Sequence, residues 1–261
     1  MEITGRETSE LHDIGQSVFP RSGPAYDSSD RRLPHTMGKC IMKELMRRAS
    51  RSAIALGLLG LGSAMSLSVH AQSDVLTLVT HADFFSAETH QPVPLDPQVF
   101  VAEPSGTSGI GPQGIKHVAG IRNAHISDNK SLPIVNALDK PLDMSLGTWL
   151  SASGDVVLSP AANGHEKVTV VLSHLKPNGH YSLFENHFDQ KPVGFTPLDG
   201  TGETNSFVAD SIGYAVVTTI APVPLTHDNA VLVVYHSDGQ THGRLRGTIG
   251  VDAHHQLIAR P

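Results

Sequence analysis

The sequence predicts an all-β domain, an antiparallel β-sandwich that follows a cleaved signal peptide. Short apolar segments recur about every ten residues through the second half of the chain, and Gly, Pro and Asn turns separate them. In the segment at 214–220, β-branched residues dominate without helical spacing. Ahead of these segments, a basic stretch leads into an apolar run, which is the order found in secretory signals.

The leader is predicted to be a signal peptide at residues 37–71. Four basic residues precede an apolar run at 53–69, and the small or apolar residues Val69 and Ala71 then predict cleavage before Gln72. The alternative is an uncleaved membrane anchor. That run is shorter than the roughly 20 residues needed to span a bilayer, and glycines and serines dilute it, so we expect cleavage.

Residues 1–36 are polar and carry no apolar periodicity. We expect them to be disordered, or to lie upstream of the true start, because Met37 and Met42 each leave a signal of normal length. Cys40 is the single cysteine of the chain. The mature protein would therefore contain no disulfide, no thiolate metal ligand and no cysteine nucleophile.

Charge argues against nucleic acid as a partner. After residue 71 the chain has 10 Lys and Arg against 18 Asp and Glu, a net charge of −8, and such a surface repels phosphate backbones. With cleavage the product keeps no stable membrane span. We therefore expect a bacterial protein located in the periplasm or outside the cell.

The mature chain, residues 72–261, is predicted to form one immunoglobulin-like domain with an irregular β-containing part at 72–147 and a sandwich core at 148–261. In the first part, strands are expected at 75–80, 98–102 and 133–137. In the core they are expected at 146–152, 154–158, 167–175, 180–188, 206–209, 214–220, 229–237, 248–251 and 256–259. The Lys-Pro-Asn-Gly turn at 176–179 is predicted to close a hairpin between two of these strands.

Two motif classes are excluded. The string G-x-G-x-x-G occurs at 109–114, but it is not embedded in a strand-helix-strand unit, so we expect a surface loop and no nucleotide cofactor. The chain also lacks a G-x-S-x-G elbow and an H-E-x-x-H helix. Serine, histidine and aspartate are too abundant for a catalytic triad to be chosen from the sequence, and the catalytic residues stay unknown.

Histidine is the one compositional excess, because 13 of the 16 histidines follow residue 71. Imidazole is a common ligand of zinc and copper. Glu185 and His187 are two residues apart and share one face of a strand, while His236 and His242 flank a turn. We expect these four side chains to bind zinc or copper, with Asp238 orienting one imidazole as a hydrogen-bond acceptor.

The sequence therefore favours an exported, histidine-rich binding domain over an enzyme. Its expected partner is a metal ion or an unidentified envelope protein. One alternative is a structural or adhesive envelope module without metal. Another is a metal-dependent enzyme that uses the same residues with an open coordination position.

Overall fold

A computed structural model describes residues 73–261, so the predicted signal peptide at 37–71 and the segment at 1–36 lie outside the described residues. In the described part, every ladder between two named strands is antiparallel, and strands greatly outnumber helices. This confirms the predicted all-β class. Neither helix of residues 73–261 has the length and apolar character needed to cross a membrane.

The described chain alternates strands with two short α-helices. In chain order the elements are β1 (Asp74–Thr80), α1 (His81–Glu88), β2 (Leu95–Ala102), β3 (Gly109–Ile110), β4 (Lys116–His117), β5 (Ile121–His125), β6 (Pro133–Val135), β7 (Pro141–Ser145), α2 (Leu146–Ser151), β8 (Ser153–Pro160), β9 (Glu166–Ser173), β10 (His180–His187), β11 (Gly194–Pro197), β12 (Ser206–Val208), β13 (Ala215–Ala221), β14 (Asn229–His236) and β15 (Ala253–Ala259).

The main sheet has the strand order β11-β10-β14-β15-β1-β8-β9-β13, and β12 also pairs with β10. Strand β1 joins its two halves. Its residues from Asp74 to Leu78 pair with β8, whereas Val79 and Thr80 pair with β15. Alternate residues of both halves belong to one apolar core, to which β9 contributes Val170 and β14 contributes Val233. Both halves of the sheet therefore pack on the same core.

Strands β9 and β10 do not form the predicted hairpin. Strand β9 pairs with β8 and β13, and β10 pairs with β11, β12 and β14. The turn at 176–179 is present, but it carries the chain from one half of the sheet to the other. The positive φ of His174 and Asn178, at 58° and 56°, accompanies this change of direction. The predicted hairpin was wrong because β8 and β13 occupy the two edges of β9, which leaves no edge for β10.

Residues 146–151 form helix α2 instead of the predicted strand. Ser145 caps the helix by accepting a hydrogen bond of 3.1 Å from the Thr148 backbone N–H. Leu146 and Trp149 are three residues apart, so they lie on one helical face, and both are buried. Burial of that face and the serine cap outweigh the strand preference of Trp149.

Residues 248–251 form a turn, so the strand predicted there was wrong, and β15 begins earlier than expected, at Ala253. The turn is held by Asp252, whose backbone N–H donates to the Thr248 carbonyl oxygen at 3.1 Å.

The first part of the chain forms a second sheet of order β5-β2-β6-β7, and the glycine-rich string at 109–114 begins in the β3-β4 hairpin. Helix α1 had no counterpart in the prediction.

Candidate metal site

The residues predicted to bind metal lie on two faces of the sheet. On β10, Tyr181, Leu183, Glu185 and His187 alternate onto the face that packs on the main core, here called the core face. His236 lies on the opposite face, here called the cleft face, because its cross-strand partner is His180.

The register also separates these groups along the strands. His187 pairs with Asn229 at one end of the β10-β14 ladder, and His236 pairs with His180 at the other end. Glu185 is five residues from His180, which corresponds to about 17 Å of strand. The structure therefore brings Glu185 and His187 together, and His236 and His242 together, but does not bring the two pairs into one site.

The pair on the core face is satisfied by its neighbours. His187 Nδ1 lies 3.6 Å from Glu185 Oε1 and 3.2 Å from Asn229 Nδ2, and its Nε2 lies 2.8 Å from Thr196 Oγ1. Both ring nitrogens thus have hydrogen-bond partners. Burial raises the pKa of Glu185, which favours the neutral acid over a metal-binding carboxylate. His187 therefore has no free lone pair to offer an ion.

Three potential ligands meet in residues 237–252, the loop that joins β14 to β15. Asp238, His242 and Asp252 each offer one ligand atom, and these atoms lie within 4.8 Å of one another. Ligand atoms on one tetrahedral zinc ion are about 3.3 Å apart, so only small side-chain movements are needed. His242 Nε2 already lies 3.1 Å from Asp238 Oδ2. We call these three residues the loop cluster.

His236 adds a second imidazole beside the loop cluster. Its ring centroid is 5.1 Å from that of His242, and its side chain is buried at 1% exposure. Its Nε2 lies 2.9 Å from Ser182 Oγ, whereas its Nδ1 is buried and has no hydrogen-bond partner. Buried polar atoms are nearly always paired, so the state of this nitrogen needs an explanation.

The hydrogen bonds behind His236 fix its tautomer. The Asn205 Nδ2 group donates to the carbonyl oxygens of Leu183 and Gly243, which leaves Asn205 Oδ1 to accept from Ser206. The one hydroxyl proton of Ser206 is then donated to Asn205 Oδ1. The Ser182 hydroxyl must therefore donate to Ser206 Oγ, at 3.1 Å.

The Ser182 proton is used in turn, so Ser182 Oγ accepts from His236 Nε2–H. The proton of a neutral His236 is therefore on Nε2, and Nδ1 carries a lone pair. A ring that donates one N–H to the protein and keeps the other nitrogen bare is the usual arrangement of a metal-binding histidine.

Electrostatics keeps His236 neutral. Burial, together with the neighbouring His242, lowers its pKa to about 4. At neutral pH the ring is therefore uncharged, and Nδ1 keeps its lone pair. The loop carboxylates supply the negative charge that the imidazoles lack.

The loop backbone positions the two carboxylates. Asp238 Oδ1 accepts from the Gln240 N–H at 3.1 Å, and Asp252 Oδ1 accepts from the Thr248 N–H at 2.5 Å. Gly247 approaches Asp252 closely at a φ of +83°, where a Cβ would lie 2.5 Å from Asp252 Oδ1. A side chain at position 247 would therefore displace the carboxylate.

No family model, curated protein or solved structure matches this chain. Any statement about function therefore comes from the site itself. Within residues 73–261, the loop cluster is the one place where three or more potential metal ligands converge.

Asp252 was not predicted from the sequence as a candidate ligand. His236 pairs with Ala253, and the Ser237 N–H donates to the Asp252 carbonyl oxygen at 2.8 Å, so the β14-β15 pairing brings position 252 beside position 238. The sequence signal was present in the apolar strand at 229–237. Asp252 was overlooked because strands were predicted at 248–251 and 256–259, which left Asp252 and Ala253 in a loop between them.

Proposed function

We propose that this protein is an exported binding domain that holds one divalent transition metal ion through Asp238, His242, Asp252 and His236. The observation that carries the proposal is the convergence of Asp238, His242 and Asp252, whose ligand atoms lie within 4.8 Å of one another. His236, whose Nδ1 is buried and unpartnered and whose ring centroid lies 5.1 Å from that of His242, supplies the fourth ligand in this proposal. Two imidazoles and two carboxylates suit zinc or copper(II) better than calcium or magnesium, which prefer oxygen ligands alone.

Binding is favoured over catalysis by the position of the nearest hydroxyl. Ser182 and His236 form a serine–histidine pair at 2.9 Å, which resembles an activated nucleophile. Ser182 is fully buried, however, and its proton is directed to Ser206, so a substrate has no access to it. The pair therefore serves to orient the imidazole.

The finer features predicted from the sequence belong to the same proposal. The shared core of the two half-sheets supports an immunoglobulin-like sandwich as the scaffold of the site. The composition of residues 37–71 supports export to the periplasm or the cell exterior. Intact-mass analysis of protein recovered outside the cytoplasm tests export, and a product that starts at Gln72 is expected. Protein that stays uncleaved in the cytoplasm would contradict it.

A second candidate is an envelope interaction module. Strand β13 ends the main sheet, and Val216 and Ile220 on it are exposed. An unpaired strand edge with apolar side chains is a common surface for association with another protein. This function predicts that metal has no effect on thermal stability, which separates it from the first proposal.

Calorimetric titration of the untagged protein with zinc and with copper tests metal binding. We expect one ion per chain at neutral pH, and an affinity that falls as pH decreases because protons compete for the imidazoles. The variant H242A should lose most of this binding. Its side chain is partly exposed, and a thermal unfolding curve of H242A shows whether the loss reflects unfolding.

The variant H187A is the matched control. His187 was predicted from the sequence to belong to the same site, but it lies on the core face at the far end of the ladder. We expect H187A to bind metal like the unaltered protein. Loss of binding in H187A together with full binding in H242A would contradict the proposed site.

A further inference from the structure

A cleft of about 600 Å³ opens between the cleft face of the sheet and the 237–252 loop. It is partly apolar and partly cationic, with Phe184, Phe195 and Leu245 on the apolar side and Arg244 and Arg246 on the cationic side. His242, Thr248 and Asp252 also line it, so it adjoins the loop cluster. A concave surface with aromatic walls and a few convergent polar groups is the usual form of a small-molecule site.

Arg246 is the unusual residue of this cleft. Its guanidinium carbon lies 3.3 Å from the centroid of the Phe195 ring, and its NH1 lies 3.0 Å from His255 Nε2. Arginine has no acceptor atom, so His255 Nε2 must accept this hydrogen bond with its lone pair. One guanidinium nitrogen thus donates its hydrogen bond to a neutral imidazole and not to an anion.

Arg246 has no acidic partner among residues 73–261. None of the ion pairs found there includes it, and burial, with no offsetting carboxylate, lowers the pKa of Arg246 to about 10. A partly buried cation is costly unless an anion accompanies it.

The groups packed behind Arg246 are also without negative charge. His255 and His81 are buried with their rings 4.9 Å apart, and burial and the neighbouring guanidinium lower the pKa of both. Both rings are therefore neutral at physiological pH. Asp252 is the one carboxylate among the residues that line the cleft, and it forms no ion pair with Arg246.

We propose that this cleft binds a small organic monocarboxylate, with Arg246 as the charged anchor and Phe195 and Leu245 in contact with the apolar part of the ligand. A guanidinium binds a carboxylate with two parallel hydrogen bonds, and Arg246 has donors that no described residue uses. Asp252 also lines the cleft, and its negative charge repels a dianion such as phosphate more strongly than a monoanion.

This proposal does not depend on the metal proposal, although His242 and Asp252 border both sites, because Arg246 anchors the ligand without an ion. The experiment therefore uses protein freed of metal on a chelating resin, since a soluble polycarboxylate chelator would compete for the cleft. Benzoate, acetate and inorganic phosphate are titrated separately by calorimetry. Benzoate is expected to bind most tightly, because it offers both the carboxylate and an apolar ring.

The variant R246Q should weaken benzoate binding by about tenfold or more, as expected for loss of a charge-assisted hydrogen bond. R260Q is the matched control, since Arg260 also stacks on a phenyl ring, at 4.3 Å from Phe188, but lies near Glu88. We expect R260Q to bind benzoate normally. Equal binding by R246Q and the unaltered protein would overturn the proposal.

A chemical measurement on the unaltered protein covers the case in which R246Q does not fold. Phenylglyoxal modifies accessible arginines, and peptide mass analysis identifies which ones. Benzoate should protect Arg246 and leave Arg260 reactive. Absence of protection, or no saturation by benzoate below about 10 mM, would overturn the proposal. Tighter binding of phosphate than of benzoate would overturn the monocarboxylate assignment.

Discussion

Trp149 Nε1 donates a hydrogen bond of 2.7 Å to Asp96 Oδ2, and both side chains are buried although 53 positions separate them in the chain. The other carboxylate oxygen accepts from the backbone N–H groups of Gln98 and Val99 at 2.8 and 3.0 Å. Asp96 therefore fixes the course of β2 and ties it to helix α2. Gln256 extends this link to β15 by donating to the Trp149 carbonyl oxygen at 2.9 Å.

Replacement of Trp149 by Phe should destabilise the protein by about 2 to 4 kcal/mol. The change removes one hydrogen bond to a buried carboxyl group, and it also leaves space in a tightly packed core. Urea unfolding at pH 7 measures the difference. A change below about 0.5 kcal/mol would show that the Asp96–Trp149 hydrogen bond does not stabilise the fold.

The stability of the protein should decrease when the pH is lowered from 8 to 5. His81 is buried, and burial, aided by Arg246, lowers its pKa from 6.5 to about 3. The unfolded chain thus gains a proton near pH 6.5 that the folded chain does not bind. His81 alone should cost about 2 kcal/mol at pH 5 relative to pH 8, and the buried His255 acts in the same direction.

Urea midpoints at several pH values measure this loss, and H81L should make the decrease shallower. A midpoint that is constant from pH 8 to 5 would contradict neutral buried histidines.

Asp96 opposes this effect, so D96N should make the decrease steeper. Burial raises the pKa of Asp96 from 3.8 to about 6, and the folded chain then binds a proton that the unfolded chain has released. The contribution of this group is fully present below pH 3.8 and is lost as the pH rises through 6. At pH 5 it adds about 1.4 kcal/mol relative to pH 8, and D96N removes that addition. An unchanged pH profile in D96N would argue against the raised pKa.

Substitution of Gly247 by Ala should lower metal affinity by about tenfold or more. An added Cβ would lie 2.5 Å from Asp252 Oδ1 and displace the carboxylate. G239A is the matched control in the same loop, because Gly239 has a similar φ of +72° but no atom within 4 Å of an added Cβ. Both variants should lose about 1 kcal/mol of stability through backbone strain. Equal metal affinities of the two variants would exclude Asp252 as a ligand.

The strands of this protein could be predicted from local patterns, but their pairing could not. The apolar run at 229–237 and the β-branched run at 214–220 match β14 and β13 within one residue at each end. The turn at 176–179 was also correctly located. Its Lys-Pro-Asn-Gly sequence specifies a change of direction and does not specify whether the next strand pairs with the last or crosses the core.

The candidate site was predictable only in part for the same reason. Alternation along β10 correctly placed Glu185 and His187 on one face, since the spacing of two residues is a local property. Whether His236 shares that face depends on the β10-β14 register, in which His236 pairs with His180. Whether Asp252 lies beside Asp238 depends on the residue at which β15 begins. Both are results of long-range pairing, which a single sequence does not encode locally.

The most direct test of the account is a crystal structure of the zinc-soaked protein with anomalous diffraction data collected at the zinc absorption edge. We expect a single strong anomalous peak at about 2.0 to 2.2 Å from His236 Nδ1, with His242 and a loop carboxylate also in contact. A peak beside Glu185 and His187, or no peak near His236 under saturating zinc, would contradict the central claim.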